Sequence, residues 1–282
     1  MIQVLNGLTY GALLMVLTSG LALIFGLRGV MNIAHGALYM LGAYLSFVIA
    51  GHVGFWAALC AVPVILALVG LLLERFGFRY LTGHDVISVS LLTLGIAMVL
   101  EFVALKIWGP NPRSVDPPSM LSGSAQLFGM TYPTYRLFVL VAGAAVMLAL
   151  AAWLSRSRVG LYVRAAVHDR ETSAMMGVDI DRVSIIVVTL STALAGLAGV
   201  LASPYLALSP SMGHEIIVPT LIIVVVGGLG SVAGAAMAAV AWGLIETVGT
   251  VVVPSVAQLL PYVALVLILL WRPTGIAGSR LH

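Results

Sequence analysis

The segment LNGLTYGALLMVLTSGLALIFG, residues 5–26, contains no charged residue and is long enough to cross a bilayer as one helix. No basic region precedes it and no clear cleavage pattern follows it, so we expect a retained helix rather than a signal peptide. Similar runs recur along the chain, which predicts an all-α, polytopic transmembrane bundle of about eight or nine segments. The predicted segments are 5–26, 31–51, 55–73, 86–106, 136–154, 183–207, 216–229, 232–252 and 256–271.

The composition supports the same fold class. Of the 282 residues, 61% are hydrophobic and 8% are charged, whereas soluble domains carry about 25% charged residues. Such an excess of apolar residues cannot be placed in a water-soluble core. The net charge of +3 comes from basic residues that lie between the apolar runs, so no nucleic-acid partner is expected. We expect one membrane domain that covers residues 1–282.

One predicted segment, 216–229, is short for a span and ends in a glycine-rich stretch. Gly227, Gly228 and Gly230 interrupt the apolar pattern, and Gly234 follows early in the next run. These glycines predict a helix break or close helix packing through small residues. The segment itself is expected to be a short helix or a re-entrant segment.

The positions of the arginines predict the orientation in the membrane. The loop 155–182 contains five arginines and is therefore expected in the cytoplasm, which makes the loop 108–134 external. The amino terminus then lies outside. Five prolines favour a stiff, non-helical loop at 108–134, in which residues 121–130 are expected to form a small hairpin.

The loop 155–182 also contains a candidate docking helix. A short amphipathic helix can begin near Asp169 and Glu171 and stop at Gly177, with an apolar stripe that includes Ala174. Such a helix is suited to docking in a groove of a partner protein. The alternative is an interfacial helix that rests on lipid headgroups.

Three stretches resemble known transport proteins. The loop with Arg164, Glu171, Ala174 and Gly177 resembles the coupling-helix region of bacterial ATP-binding-cassette (ABC) importer permeases. The sequences NGLTYGAL and GLALIFGLRGVMNIAHG near the amino terminus are similar to the signature of LivH-type permeases of branched-chain amino acid transporters. The later sequence VGGLGSVAGA also resembles that family, so the resemblance covers essentially the whole chain.

The resemblance implies the membrane subunit of an ATP-driven importer in the bacterial inner membrane. Branched-chain or similar small amino acids would be the solute, with urea and short amides still open, and transport would proceed by alternating access. The implied partners are a second related permease subunit, two cytoplasmic ATPase subunits and an external solute-binding protein. The coupling residues would be Arg164, Asp169, Glu171, Ala174, Met175 and Gly177.

ATP chemistry is not expected in this chain. The sequence has no Gly-x-x-x-x-Gly-Lys-Ser/Thr phosphate-binding loop, and its single lysine, Lys106, is followed by isoleucine within a membrane segment. ATP would therefore be bound by the partner subunits, and no cofactor is expected here. Paired carboxylates and a nucleophile with a nearby base are also missing from the sequence, which argues against a membrane enzyme.

Polar residues within the apolar runs are candidates for the solute pathway, because such groups usually face a bundle interior or a cavity. The candidates are Asn32, His35, Gly36 and Glu246. His35 can instead be a buried neutral imidazole with a hydrogen-bond partner, and Glu246 can be hydrogen-bonded for structure. No second ligand lies at helical spacing from His35, so no metal site is expected. The alternative function is a self-sufficient secondary transporter or channel. Such a protein would need its own coupling or selectivity groups, and His35 and Glu246 are few for that role.

Overall fold

The computed structural model of the protein describes residues 1–78, 86–127, 129–272 and 275–277. Eleven α-helices account for most of this part of the chain. They are α1 (Ile2–Arg28), α2 (Ala34–Val53), α3 (Phe55–Leu73), α4 (Val86–Trp108), α5 (Thr134–Arg156), α6 (Arg158–His168), α7 (Arg170–Met175), α8 (Ile180–Ala202), α9 (Met212–Gly227), α10 (Val232–Val252) and α11 (Leu260–Trp271). A π-helical turn, Glu74–Phe78, continues α3, and two short 3-10 helices lie at Ser119–Leu121 and Pro254–Leu259.

Among the described residues, seven helices are long and apolar enough to cross a membrane: α1 to α5, α8 and α10. The helices α9 and α11 are apolar but shorter, with 16 and 12 residues. The predicted polytopic helical bundle is therefore confirmed, and each of the nine predicted segments corresponds to one of these helices. The predicted segment 216–229 is a short helix that begins at Met212, before the start we expected.

A small hairpin follows α4. Its strands β1 (Ser124–Leu127) and β2 (Met130–Pro133) pair antiparallel, with Ser124 opposite Pro133. The hairpin predicted at 121–130 therefore exists, but it lies three residues further along the chain, and position 128 is outside the described residues. The turn includes Gly129, whose φ of 75° favours glycine.

The bundle has two distinct ends. At the hairpin end, the first turns of α1 meet the hairpin, where the Thr9 hydroxyl oxygen lies 3.2 Å from that of Tyr132. At the opposite end, called here the loop end, the connection through α6 and α7 joins α5 to α8. Arg28 is the last residue of α1 and lies at the loop end. It donates a hydrogen bond of 2.7 Å to Ser184 Oγ, near the start of α8. α1 therefore runs antiparallel to α8.

The helices α1 and α8 form the centre of the bundle, while α4 lies at its periphery. In the apolar stretch of α1, 78% of the residues are buried, compared with 11% for α4. Large apolar side chains such as Leu91 and Met98 point outward from α4. Because lipid is as apolar as these side chains, an outward-facing apolar surface is stable in a bilayer and would aggregate in water.

Glycines permit the close approach of the central helices. A Cβ atom at Gly11 would lie 2.9 Å from the Val240 Cα of α10, and one at Gly42 would lie 2.7 Å from the Gly196 Cα of α8. Real Cβ atoms do not approach backbone so closely. The small residues therefore set the spacing between α1 and α10 and between α2 and α8, as is common among membrane helices.

Candidate functional site

A cavity of ≈ 870 Å³ lies between α1, α2, α9, α10 and α11. Its lining combines aromatic, acidic and hydroxyl side chains with apolar ones. The polar and aromatic residues of the lining are Tyr10, Tyr39, Tyr205, Glu215, Trp242, Glu246, Thr247, Thr250 and Tyr262. Its volume is within the range of about 300–1,000 Å³ that is typical of small-molecule sites. Glu246 and Thr250 lie in the second half of α10, so the cavity lies toward the hairpin end.

Glu246 is the partly buried acid of this cavity. Trp242 precedes it by one helical turn, and its indole Nε1 donates a hydrogen bond of 2.7 Å to Glu246 Oε2. The Trp242 ring also packs edge-on against Tyr262 of α11, with 5.5 Å between the ring centroids. Among the described residues, Glu246 forms no ion pair, and its Oε1 accepts no hydrogen bond. One carboxylate oxygen is thus held in place and the other is free to receive a donor.

Tyr39 forms part of the wall that α2 contributes to the cavity. The residue is only 1% exposed, and its hydroxyl has no hydrogen-bond partner among the described residues. Gly199 of α8 packs directly against the Tyr39 carbonyl, which fixes this turn of α2 in the bundle. A buried hydroxyl without a partner is costly unless another molecule supplies one. Tyr39 is therefore a second polar group of the cavity that can receive a ligand.

The other three predicted pathway residues lie where α2 begins, apart from this cavity. His35 is fully buried, and its Nε2 lies 2.9 Å from the Leu17 carbonyl oxygen of α1. Asn32 is 2% exposed, and its amide has no partner among the described residues. Gly36 packs against the backbone of Gly213 in α9, where a Cβ atom would collide. Of the four predicted pathway residues, only Glu246 lines the cavity; the roles of Asn32, His35 and Gly36 in the pathway remain predictions.

The predicted coupling residues lie together at the loop end. Asp169 caps the short helix α7, because its Oδ1 accepts a hydrogen bond of 3.0 Å from Thr172 N. Hydrogen bonds from the Thr172 side chain and backbone hold the pKa of Asp169 below its ordinary value. Gly177 follows the helix with a φ of 88°, a left-handed conformation typical of the residue after a helix. The predicted helix at 169–176 corresponds to α7, Arg170–Met175.

The remaining coupling candidates are accessible from outside the bundle. Met175 and its neighbour Met176 are each 81% exposed, and Glu171 and Ala174 are also exposed. Arg164 lies on α6, where its guanidinium donates a hydrogen bond to the Leu154 carbonyl at the end of α5. α7 thus presents an apolar tip, while Arg164 connects α6 to a membrane helix.

The four predicted break and packing glycines lie where α9 meets α10: Gly227 ends α9, Gly228 and Gly230 lie in the connection, and Gly234 lies in the first turn of α10. Gly228 and Gly230 have φ values of 102° and 80°, which side chains with a Cβ rarely adopt. Gly227 and Gly234 pack backbone against backbone, and a Cβ atom on either would collide with the other segment. The chain therefore turns sharply at the loop end, and α10 returns alongside α9.

The comparison with known families agrees with this architecture. Residues 3–269 match the family described as "Branched-chain amino acid transport system / permease component". The chain belongs to this family. As a member with seven long apolar helices in its described part, the permease is a multi-pass membrane protein.

Curated relatives of the permease carry the same description. It is 26% identical to the high-affinity branched-chain amino acid transport system permease protein BraD of Pseudomonas aeruginosa, over 98% of this chain and 95% of the relative. It is 27% identical to LivH of Escherichia coli strain K12, over 98% of this chain and 94% of the relative. The permease protein LivM of the same strain is also similar, at 27% identity over 93% of this chain and 67% of its own length. No solved structure matches.

The sequence did not single out the tyrosines of the permease cavity or the buried acid Glu74. Tyr10, Tyr39 and Tyr205 lie on different segments, and only the folded bundle brings them together. Their signal in the sequence is a tyrosine within or next to an apolar run, which is also typical of membrane interfaces. Glu74 follows an apolar run directly and resembles a loop residue, but it is 3% exposed at the loop end.

Proposed function

We propose that this permease is the membrane-spanning subunit of an ATP-driven importer for branched-chain or similar small amino acids. The observation that carries the proposal is the family match over residues 3–269, joined to relatives that are named as permeases for branched-chain amino acids. The cavity between α1, α2, α9, α10 and α11 supplies the place for the solute. The chain itself performs no covalent chemistry.

The proposed orientation puts the loop end in the cytoplasm and the hairpin end outside the bacterial inner membrane. Eight described arginines lie at the loop end: Arg28, Arg75, Arg156, Arg158, Arg164, Arg170, Arg182 and Arg272. At the hairpin end the described basic residues are Lys106, Arg113 and Arg136. This excess of arginine supports the orientation, because basic residues favour the cytoplasmic side.

Two cytoplasmic ATPase subunits would bind ATP and drive the cycle. In this proposal the apolar tip of α7, Met175 and Met176, inserts into a groove of one ATPase, and methionine suits such contacts because its side chain adapts to irregular surfaces. Movement of α7 would then reach the membrane helices through α6, whose Arg164 donates to the Leu154 carbonyl of α5. The pathway would open alternately to the two sides of the membrane.

The remaining partners follow from the same proposal. A second related permease subunit would complete the pore, and the similarity of this chain to both LivH and LivM supports a pair of related subunits. An external solute-binding protein would dock at the hairpin end, on the loop 108–134 that contains β1 and β2. Selection of the solute would then fall partly to that binding protein, so the cavity needs only weak affinity.

The proposal is tested with the complete complex in proteoliposomes that contain the binding protein and labelled leucine. Wild-type complex is expected to accumulate leucine only when ATP reaches the ATPases. The double variant Met175→Glu, Met176→Glu is expected to lose most uptake and most co-purification of the ATPases, because two charges replace the apolar tip of α7. Insertion into the membrane should be unchanged, since both side chains lie outside the spans.

Met120 provides the matched control for this test. It is 80% exposed, like the two methionines of α7, but it lies at the hairpin end. Met120→Glu is expected to leave co-purification of the ATPases at the wild-type level. If Met120→Glu and the double variant of α7 lose ATPase binding equally, α7 is not the docking element. Leucine uptake by the purified chain alone, without ATPases, would contradict an ATP-driven function and indicate a self-sufficient transporter.

A further inference from the structure

Glu246 and the aromatic side chains around it form a site whose chemistry can be derived from its geometry. We propose that this end of the cavity binds the ammonium group of the transported amino acid, with Glu246 as the anionic partner. The inference rests on the proposed function, because it takes an amino acid as the solute. It assigns to named residues the recognition of one functional group during passage through the membrane.

Glu246 has no counter-charge among the described residues. A carboxylate within a membrane bundle is stable when a cation pairs with it, and an uncompensated one is costly. Glu246 forms no ion pair with any described residue, and no lysine or arginine is among the described residues that line the cavity. A cationic group that arrives with the solute would fill this role. The site is thus complementary to an ammonium group and not to a second carboxylate.

A hydrogen bond fixes the direction of the Glu246 carboxylate. Trp242 donates its indole hydrogen to Oε2, so the side chain of Glu246 is held on the cavity wall while Oε1 stays free. Holding one oxygen in advance reduces the entropy that binding would otherwise have to remove. An ammonium group has three donors, and the free oxygen can accept one of them.

Aromatic side chains line the cavity that contains Glu246. Tyr10, Tyr205 and Tyr262 line the same cavity, and the face of an aromatic ring attracts a cation. Arg136 already lies over the Tyr205 ring, with its Cζ 5.2 Å from the centroid, which shows that this ring accepts a cation on one face. Aromatic rings therefore support the same ligand charge as Glu246.

The rest of the cavity fits the remainder of a branched-chain amino acid. Leu206, Met212 and Ile216 line it with apolar surface that can pack against an aliphatic side chain. The hydroxyl of Tyr39, buried and without a partner among the described residues, is available to donate to the solute carboxylate. The cavity thus offers one partner for each part of the amino acid.

The test measures equilibrium binding of labelled L-leucine to the detergent-solubilised complete complex without the binding protein. Leucinamide, which keeps the ammonium group and lacks the carboxylate, is expected to displace leucine from wild-type complex. The anion 4-methylpentanoate, which lacks the ammonium group, is expected not to displace it. The reverse order of competition, or no saturable leucine binding up to about 10 mM, would overturn the inference.

Variants of Glu246 and of an acid outside the cavity locate the site. Glu246→Gln is expected to weaken leucine binding about tenfold or more, because a neutral amide replaces the charged partner. Glu246→Asp keeps the charge and should recover part of the affinity. Glu101→Gln is the matched control, since Glu101 is an acid in the apolar helix α4 that does not line this cavity. It should change the affinity by less than about threefold.

The variants distinguish a specific site at Glu246 from a general attraction and from a structural role. Equal weakening by Glu101→Gln and Glu246→Gln would mean that general negative potential attracts leucine, which contradicts a subsite at Glu246. Loss of leucine binding in Glu246→Asp as complete as in Glu246→Gln would indicate a structural role. If wild-type complex fails to import leucine with ATP, the proposed function fails; if it imports leucine and Glu246→Gln binds it normally, only this inference fails.

Discussion

Glu74 at the loop end and Glu246 in the cavity are both carboxylates within a membrane bundle, but their surroundings differ. Glu74 is 3% exposed and pairs with Arg28, and its Oε1 accepts a further hydrogen bond of 2.8 Å from Ser184 Oγ. Glu246 lines a cavity and has only the Trp242 indole as a donor among the described residues. The first acid has its charge balanced by the protein, whereas we propose that the ammonium group of the solute balances the second.

The difference shows how an acid in a membrane helix can be assigned a role. The Arg28–Glu74 pair connects α1, the π-helical turn after α3 and α8, and Arg28 also donates a hydrogen bond of 3.2 Å to the Phe78 carbonyl. Removal of this pair should therefore affect folding. In the described part of the chain, Glu246 connects nothing beyond its own helix through hydrogen bonds, so its removal should affect binding and leave the fold intact.

Arg28→Ala should lower the stability of the permease more than Ser184→Ala does. The change leaves the buried Glu74 carboxylate without a counter-charge, which costs about 3–5 kcal/mol in comparable buried pairs. The free energy of unfolding, measured by denaturant titration of the purified permease in detergent micelles, should fall by that amount. The double variant Arg28→Met, Glu74→Met removes both charges and should recover much of the loss. An Arg28→Ala variant as stable as the wild type would contradict the difference in role between Glu74 and Glu246.

A smaller effect is expected from Ser184→Ala. The substitution removes one hydrogen bond to Glu74 and one from Arg28 but keeps the ion pair. Hydrogen bonds to charged groups contribute about 1.5–3 kcal/mol each, and the pair can partly adjust, so a loss near the lower value is expected. The same denaturant titration measures it, with Ser90→Ala on the peripheral helix α4 as the control. A loss as large as that of Arg28→Ala would mean that the hydrogen bonds of Ser184, and not the two charges, provide most of the stabilisation.

Much of the fold could be predicted from the sequence because the bilayer sets simple rules. A span needs an apolar run of a certain length, so the helices α1 to α5, α8 and α10 follow from composition and spacing. The turn after α9 was also predictable, since Gly227, Gly228 and Gly230 interrupt an apolar run. The start of α9 was harder, because the residues before 216 mix polar and apolar types and carry no clear boundary signal.

The cavity and the Arg28–Glu74 ion pair depend on contacts between distant parts of the chain, which local sequence patterns do not reveal. Arg28 and Glu74 are 46 residues apart in the sequence. Tyr10 and Tyr205 line the same cavity, although several spans separate them in the sequence. Glu246 was predictable as a candidate because it is an acid in an apolar run. His35 met the same criterion, yet the structure buries it against Leu17, away from the cavity. Polarity within a span identifies candidates, and only packing shows which of them face a cavity.

If the cavity beside Glu246 is the solute pathway, the reactivity of a cysteine placed in it should change during the transport cycle. Thr247→Cys, in a chain with Cys60→Ala, would be treated from outside with a membrane-impermeant maleimide, with and without ATP trapped in the ATPases. We expect labelling to differ strongly between the two states, while Leu91→Cys on the lipid-facing side of α4 stays unlabelled in both. Equal labelling of Thr247→Cys in both states would contradict this role of the cavity.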